Sequence, residues 1–135
     1  MKEVLRLLKL LSDETRLRIL MILKRRELCV CQIMAVLGIS QPLVSRNLAL
    51  LDDAGLLKER RDGKLVYYSL RGDLPQGISR LLNLLKEELK DDETLTMDLD
   101  TLKDCYEYQK KSGRCDMRTF LAFMEERRKK RRGGR

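Results

Sequence analysis

The segment VCQIMAVLGISQPLVSRNLALL, residues 30–51, decides the fold of this chain. Its apolar positions repeat at helical spacing on both sides of Gly38, which is placed to end the first of two short helices. Ser40 is a typical N-cap, and Pro42 falls in the first turn of the second helix, where a missing amide is tolerated. Two short helices joined by about four residues predict a helix-turn-helix.

A β-hairpin is predicted directly after these two helices. Asp62-Gly63 stands between two β-prone segments, LLKERR at residues 56–61 and KLVYYSL at residues 64–70. An Asp-Gly pair in this position is a strong hairpin signal. A helix-turn-helix followed by a hairpin predicts a winged helix, and we call the hairpin the wing.

Helical patterns flank the helix-turn-helix and its wing on both sides. Apolar spacing predicts a first helix at residues 2–11, a second that starts at Ser12-Asp13, and a fifth at about residues 75–90. Residues 91–94 are predicted to be a linker. Two more helices are expected beyond it, at residues 100–111 and 116–130, with a break at Ser112-Gly113. The predicted fold is mainly α with a small β-hairpin.

Three regions follow from this pattern. Residues 1–92 form the winged helix, residues 93–126 form a helical C-terminal extension that carries Cys105 and Cys115, and residues 127–135 form a basic tail that is predicted to be disordered. The tail, RRKKRRGGR, supplies most of the net charge of +8. It would add non-specific contact with phosphates, and it leaves the rest of the chain close to neutral.

The composition excludes several classes of function. The chain has no histidine, so His-based acid–base catalysis and mixed Cys/His zinc sites are ruled out. No Cys-x-x-Cys redox pair, phosphate-binding loop or catalytic carboxylate pair is present, and we do not expect an enzyme. No signal peptide and no apolar run near the ~20 residues of a membrane span are found, which predicts a cytoplasmic protein without membrane contact. Four cysteines in that compartment favour metal binding or redox sensing over structural disulfides.

Cys29 and Cys31 stand at the head of the third helix, in ELCVCQI at residues 27–33. The helix dipole there is expected to lower the pKa of both thiols. Side chains two residues apart on a helix point about 200° apart, so the two sulfurs can hold one ion only if the first turn unwinds. Binding would then strain the third helix, which packs on its partner in the helix-turn-helix.

Four stretches resemble, in order, the signatures of the ArsR/SmtB winged-helix repressors that sense metals and metalloids. They are LLSDETRLRIL at residues 10–20, ELCVC at 27–31, ISQPLVSRNL at 39–48 and DGKLVYY at 62–68. The resemblance covers residues 1–90. It implies a homodimer formed by the first and fifth helices, which binds double-stranded operator DNA and leaves it when an inducer reaches the thiols. Cys-Val-Cys in that family points to arsenite or antimonite, or to cadmium, lead or zinc.

The expected inducer is arsenite or antimonite, with no organic cofactor. Met34 stands where arsenite sensors of the family often carry a third cysteine, and the fifth helix lacks the acid–histidine pairs of the family's interfacial zinc site. Cys29 and Cys31 are therefore predicted to recruit Cys115 or Cys105, from the same subunit or its partner. Two alternatives stay open: a cadmium, lead or zinc site made of all four thiolates, and a redox switch for which Cys105 and Cys115 are the favoured pair.

The predicted DNA contacts lie on the fourth helix and the wing. Arg46 would take a guanine bidentately, and Gln41 or Asn47 an adenine, in the major groove. Ser40 and Ser45 would bond phosphates. The wing would add phosphate contacts from its cations, Arg60, Arg61 and Lys64. Operator DNA and a second copy of the chain are the expected partners, with no membrane and no protein substrate.

Overall fold

The computed structural model describes residues 1–133. Within them the chain forms seven helices and three short strands: α1 Lys2–Leu11, α2 Glu14–Leu23, β1 Leu28–Cys29, α3 Val30–Leu37, α4 Gln41–Asp53, β2 Leu57–Asp62, β3 Leu65–Leu70, α5 Gln76–Glu88, α6 Glu93–Ser112 and α7 Met117–Gly133. The predicted fold class, mainly α with a small antiparallel β element, is confirmed.

The helix-turn-helix forms for the reasons its sequence suggests. Gly38 ends α3 in the left-handed region, with φ of +69°, a conformation that a residue with a Cβ adopts only at a cost. The Ser40 side chain accepts a hydrogen bond from the backbone N–H of Leu43 at the start of α4, where Pro42 sits in the first turn. The axes of α3 and α4 meet at 115°. α4 is thereby held at a fixed angle to the helix that carries the thiols.

The sheet has one strand more than the sequence predicted. β2 and β3 form the expected hairpin, and β1 pairs antiparallel with the free edge of β3, which gives the order β1-β3-β2. Asp62 pairs with Leu65, so the two loop residues are Gly63 and Lys64 rather than Asp62 and Gly63. Gly63 has φ of +62° and Lys64 does not have a positive φ, the pattern of a type II′ turn. β1 was missed because two residues are too few to show an alternating pattern.

The helical extension is part of the core and not an appendage. Phe120 and Phe123 of α7 and Leu102 of α6 are buried in the same apolar cluster as α2, α3 and α4. The predicted linker at residues 91–94 is correct for Asp91 and Asp92 and wrong for residues 93–94, since Asp92 caps α6 through the backbone N–H of Leu95 and the helix begins at Glu93. The predicted break is confirmed at Gly113, which ends α6 with φ of +69°.

The basic tail also differs from its prediction. In place of disorder from residue 127, α7 continues through Gly133, and residues 134–135 lie outside the described part of the chain. Arg127 donates to the Asp104 carboxylate (2.7 Å) and to Thr101 Oγ1 (3.1 Å), which ties the start of the basic segment to α6. Helix formation by this segment is supported by cations in its last turn, which interact favourably with the helix dipole.

A buried ion pair fixes α6 against the helix-turn-helix. Arg18 of α2 donates two hydrogen bonds to the Asp98 carboxylate, Nη2 to Oδ1 at 2.7 Å and Nε to Oδ2 at 2.8 Å. Only 4% of the Asp98 side chain is exposed. The same Nη2 also donates to the backbone carbonyl of Leu37, the last residue of α3 (3.2 Å). One guanidinium therefore joins α2, α6 and the turn that leads into α4.

The first and fifth helices leave apolar side chains uncovered. Val4, Leu5 and Leu8 of α1 and Leu84 of α5 are each about half exposed or more. Such an exposed apolar face is typical of an association surface. Separately, none of the helices in residues 1–133 is by itself long and apolar enough to span a membrane, although α3 and α4, taken together as a bent pair, meet that test on length and composition.

Asp98→Asn is expected to lower the free energy of unfolding by about 3 kcal/mol, because it leaves the Arg18 guanidinium largely buried without its counter-charge. Urea denaturation at fixed protein concentration measures the change. Asp100→Asn is the matched control on the exposed side of α6, and it should alter stability by no more than about 0.5 kcal/mol. Equal stability of the two variants would show that the ion pair contributes nothing net.

Candidate functional site

Cys29 lies where β1 meets α3. It pairs with Tyr67 in the sheet and is at the same time the N-cap of α3, with φ of −88° and ψ of 169°. Its backbone N–H donates to Gln32 Oε1 (2.9 Å), and its sulfur faces the backbone N–H of Gln32, so the two residues form a capping box. Gln32 is buried and also donates through Nε2 to Gln109 Oε1 of α6 (2.8 Å).

The predicted conflict between Cys29 and Cys31 does not arise. Cys29 has extended backbone and precedes the first helical residue, so the rule for side chains two apart on a helix does not apply to it. The pKa of each of these two thiols is shifted by the other. The helical spacing of the two residues is therefore no argument against a shared ion.

Cys115 reaches the same place from the turn between α6 and α7. The Tyr67 hydroxyl stands 3.8 Å from Cys115 Sγ, and Tyr67 is paired with Cys29 in the sheet. This turn is held by Gly113, which ends α6, and by Asp116, whose carboxylate accepts the backbone N–H of Thr119 (2.7 Å) at the start of α7. A cysteine of the same chain therefore lies beside the Cys-Val-Cys pair.

Cys105 lies deeper than the other three thiols. It is buried in the core on α6, and its thiol is close enough to those of Cys29 and Cys115 to be affected by their charge. Burial, reinforced by those two sulfurs, raises the pKa of Cys105 to about 12. A thiol in this environment stays protonated at neutral pH and is a poor ligand without rearrangement.

The pKa values of Cys29 and Cys31 are shifted in opposite directions. Hydrogen bonding with Cys31 and burial raise the pKa of Cys29, whereas hydrogen bonding with Cys29 lowers the pKa of Cys31. The expectation of a lowered pKa therefore holds for Cys31 and is wrong for Cys29. Burial raises the pKa of Cys115, and the Tyr67 hydroxyl opposes that effect. Cys31 is the thiol that ionises first, and Cys29 keeps a proton that an incoming ligand must displace.

The donor set fits a soft ion that binds sulfur. Cys29, Cys31 and Cys115 supply thiols, the chain has no histidine, and all four cysteines are free. Within residues 1–133, however, no three cysteine or carboxylate side chains are close enough to hold a metal ion as they stand. The three sulfurs thus require a further local shift to bind one atom together.

The exposed face of α4 carries most of the predicted base-reading residues. Gln41 and Arg46 are exposed, and Gln41 Nε2 donates to Ser45 Oγ (3.1 Å). Ser40 is exposed, but its hydroxyl already accepts a hydrogen bond from the backbone N–H of Leu43 in the helix cap. Ala49 is also exposed, one turn beyond Ser45 and Arg46. It was not among the predicted DNA contacts because alanine has no polar side-chain group.

Asn47 is not available to a base, contrary to prediction. It is 5% exposed, its Nδ2 donates to the Leu43 carbonyl (2.9 Å), and its Oδ1 accepts from Arg16 Nη1 (3.1 Å). Arg16 in turn donates through Nε to the Leu10 carbonyl (2.6 Å). Asn47 therefore joins α4 to α1 and α2 and has a structural role.

The wing cations differ from one another. Arg60 forms a bidentate pair with Glu27 (2.7–3.0 Å) and lies over the Tyr67 ring, 4.6 Å from its centroid. An exposed cation–π contact of this kind is weakly stabilising. Arg61 and Lys64 are exposed and enter none of the ion pairs formed among residues 1–133. Of the three predicted wing contacts, Arg61 and Lys64 are therefore the two whose charges face solvent without an ion-pair partner among residues 1–133.

The comparisons agree with this arrangement of helices and wing. The family model described as "Bacterial regulatory protein, arsR family" matches residues 13–59, which run from α2 into β2 and include Cys29 and Cys31. A solved structure of the AntR antimony-specific transcriptional repressor is 34% identical, with a TM-score of 0.55, over 67% of this chain and 83% of its own. The chain belongs to the arsR family of bacterial regulatory proteins. That family consists of transcription regulators.

The names of related proteins refer to resistance to more than one element. The arsenic resistance transcriptional regulator ArsR1 of Pseudomonas putida is 45% identical over 75 residues, 55% of this chain and 59% of its own length. The arsenical resistance operon repressor of Escherichia coli is 44% identical over 80 residues, 58% of this chain and 68% of its own. A cadmium resistance regulatory protein CadC homolog of Staphylococcus aureus is 44% identical over 69 residues, 50% of this chain and 57% of its own. This chain therefore spans under two thirds of the first and third of these relatives.

Alkylation of the folded protein by iodoacetamide at neutral pH should label Cys31 first and Cys105 last. The thiolate is the reactive form, so a lowered pKa moves half-maximal labelling of Cys31 below the pH of an ordinary thiol, and the raised pKa of Cys105 moves its labelling towards pH 12. Peptide mass spectrometry over a pH series gives each rate, and the chain unfolded in urea is the control in which all four should react alike. Equal rates at Cys31 and Cys105 in the folded protein would contradict this order.

Proposed function

We propose that this protein is a transcriptional repressor that binds operator DNA and leaves it when arsenite or antimonite binds Cys29, Cys31 and Cys115. One observation carries the proposal: Tyr67, which pairs with Cys29 in the sheet, places its hydroxyl 3.8 Å from Cys115 Sγ, at the point where the helix-turn-helix begins. The regulators of arsenic and antimony resistance among its relatives support the choice of ion. A reducing cytosol is the compartment in which such thiols stay free.

The chemistry of arsenite suits three neighbouring thiols. As(OH)₃ is trivalent and soft, and it exchanges each hydroxyl for one thiolate. Three As–S bonds form, three As–O bonds break, and the three thiol protons leave with the hydroxyls as three water molecules; no electron is transferred. Cys31 begins the exchange because its pKa is lowered. Cys29 and Cys115, which hold their protons more tightly, follow once the first bond places arsenic beside them.

Ligand binding would reach the reading helix through α3. The Cys29 sulfur is part of the cap of α3, and an As–S bond takes that sulfur away from the helix terminus. The other end of α3 is bonded through the Leu37 carbonyl to Arg18, directly before the turn into α4. A shift at the start of a helix of eight residues is therefore transmitted to α4. Coupling of this kind typically changes DNA affinity by a factor of between about 5 and about 150.

The DNA contacts proposed here use α4 and the wing. Gln41, Ser45 and Arg46 would enter the major groove, and Arg61 and Lys64 would meet phosphates beside it. A second copy of the chain would supply the matching half-site, with the exposed apolar faces of α1 and α5 as the dimer surface. Burying those faces removes apolar area from water, which favours association.

A cadmium, lead or zinc site that uses all four thiols is the second candidate. It is favoured by the position of Cys105, whose pKa is affected by both Cys29 and Cys115, so four sulfurs lie within one neighbourhood. Cadmium prefers four thiolates in a tetrahedron. This candidate requires a thiol with a pKa of about 12 to ionise inside the core, which disfavours it against the three-thiol arrangement.

Serine variants separate the two candidates. Arsenite should release operator DNA from the wild type and from Cys105→Ser, and should fail to do so in Cys29→Ser, Cys31→Ser or Cys115→Ser. Fluorescence anisotropy of a duplex selected from random sequence by the protein measures release, and near-ultraviolet absorbance measures binding of arsenite or cadmium to the thiols. Unchanged release in Cys115→Ser would overturn the proposed ligand set. Cadmium-driven release that is lost in Cys105→Ser would favour the four-thiol candidate.

Arg46→Ala should weaken operator binding by about 1–3 kcal/mol and relax sequence preference at one base pair. The reason is that a bidentate contact to guanine is lost, whereas a phosphate contact would be lost equally on any DNA. Anisotropy on the selected duplex and on random DNA gives both values. Lys64→Ala is the control from the wing, and it should weaken the two DNAs alike. Equal losses for Arg46→Ala on both DNAs would count against base reading.

A further inference from the structure

Tyr67 stands at the centre of a row of side chains that crosses the sheet. In the register of the three strands, Tyr67 pairs with Cys29 on one side and with Arg60 on the other. Residues that are directly paired in a sheet project from the same face. Cys29, Tyr67 and Arg60 therefore form one continuous row, which begins at a candidate ligand and ends in the wing.

Contacts at both ends of Tyr67 make this row a physical connection. Its hydroxyl is 3.8 Å from Cys115 Sγ, and its ring lies under the Arg60 guanidinium. Arg60 is oriented by three short contacts to the Glu27 carboxylate, and Glu27 is two residues ahead of Cys29 in the chain. The contacts thus form a closed loop that starts and ends at the thiols and passes through the wing.

We infer that Tyr67 is the positioning residue that couples occupancy of the thiols to the wing, through the stacked Arg60 and its ion pair with Glu27. This inference rests on the proposed function, because it concerns how that same site acts on DNA. Tyr67 is not a ligand in it. The residue acts through Cys115 on one side and through Arg60 on the other.

The loop has a reason to change when the thiols bind an ion. The three sulfurs must move closer to share one atom, and Cys115 then moves relative to the Tyr67 hydroxyl. A tyrosine ring that follows Cys115 is displaced from its position under the Arg60 guanidinium. Arg61 and Lys64, which follow Arg60 along the hairpin, are the exposed cations whose placement depends on this end of the sheet.

The opposite face of the same strands provides a matched control. Tyr68 pairs with Leu28 and with Glu59, one residue along from the row. Tyr68 and Glu59 are thus a tyrosine and a carboxylate paired in the same hairpin, and they project from the face opposite the row of Cys29, Tyr67 and Arg60. Tyr67→Phe and Glu27→Gln are the test variants, and Tyr68→Phe and Glu59→Gln are their controls.

The experiment measures operator affinity of the full chain without and with saturating arsenite, by anisotropy on the selected duplex, and takes the ratio of the two dissociation constants as the release factor. Arsenite binding is measured separately by near-ultraviolet absorbance. Tyr67→Phe should bind arsenite within about threefold of the wild type yet lose at least about fivefold of the release factor. Glu27→Gln should lose as much, and the double variant no more than either, because both interrupt one loop. Both control variants should release DNA as the wild type does.

A wild-type release factor in Tyr67→Phe would overturn the inference and leave the proposed function standing. Losses in Tyr67→Phe and Glu27→Gln that simply add, or equal losses in Tyr68→Phe, would also overturn it, because they indicate general loosening of the wing. Failure of the wild type to release DNA with either arsenite or cadmium would overturn the proposed function, and the inference with it. A loss of arsenite binding itself in Tyr67→Phe would reassign Tyr67 to the ligand site and contradict the coupling role.

Discussion

The bidentate pair between Arg18 and Asp98 determines where the C-terminal helices lie. A carboxylate that is almost fully buried needs a partner of opposite charge, and Arg18 is the one that provides it. The pair fixes α6 near its start, and the bond between Gln32 and Gln109 fixes α6 near its end. Because α6 is held near both ends, the position of the turn that follows it is set as well. That turn lies beside Cys29, so the position of Cys115 on it depends on the Arg18–Asp98 pair near the other end of α6.

Local signals account for the parts of the fold that the sequence could predict. Gly38, Ser40 and Pro42 act within a few residues of themselves, and each of them specifies a helix end that the structure contains. The hairpin follows from Gly63 in the same way, although the loop is displaced by one residue. The apolar spacing of α1, α2 and α5 was equally readable, because a helix that covers a core repeats its apolar positions every three to four residues.

What the sequence could not predict depends on contacts between distant segments. Asn47 looked like a base reader because its position in α4 is right, and only the packing of Arg16 against it shows that its amide is used internally. The capping role of Cys29 depends on the pairing of β1 with β3. A strand of two residues is too short to be recognised in the sequence, so this role could not be predicted. The candidate site was predicted as Cys29 and Cys31 with Cys115 or Cys105 as the third ligand, and the choice between these two depends on the packing of α6 and α7. The pair of thiols also divides its protons in a way that neither residue alone would suggest.

The turn between α6 and α7 separates one proposed ligand from the other two. Two of the three proposed ligands lie within the segment that matches the family model, and Cys115 lies beyond it, on a turn whose geometry is set by Gly113 and Asp116. Cys29 and Cys31 share their stretch of the chain with the proposed DNA-reading helix, whereas Cys115 does not. Under the proposed function, a different residue on this one turn would change the ligand set without changing any residue of α4.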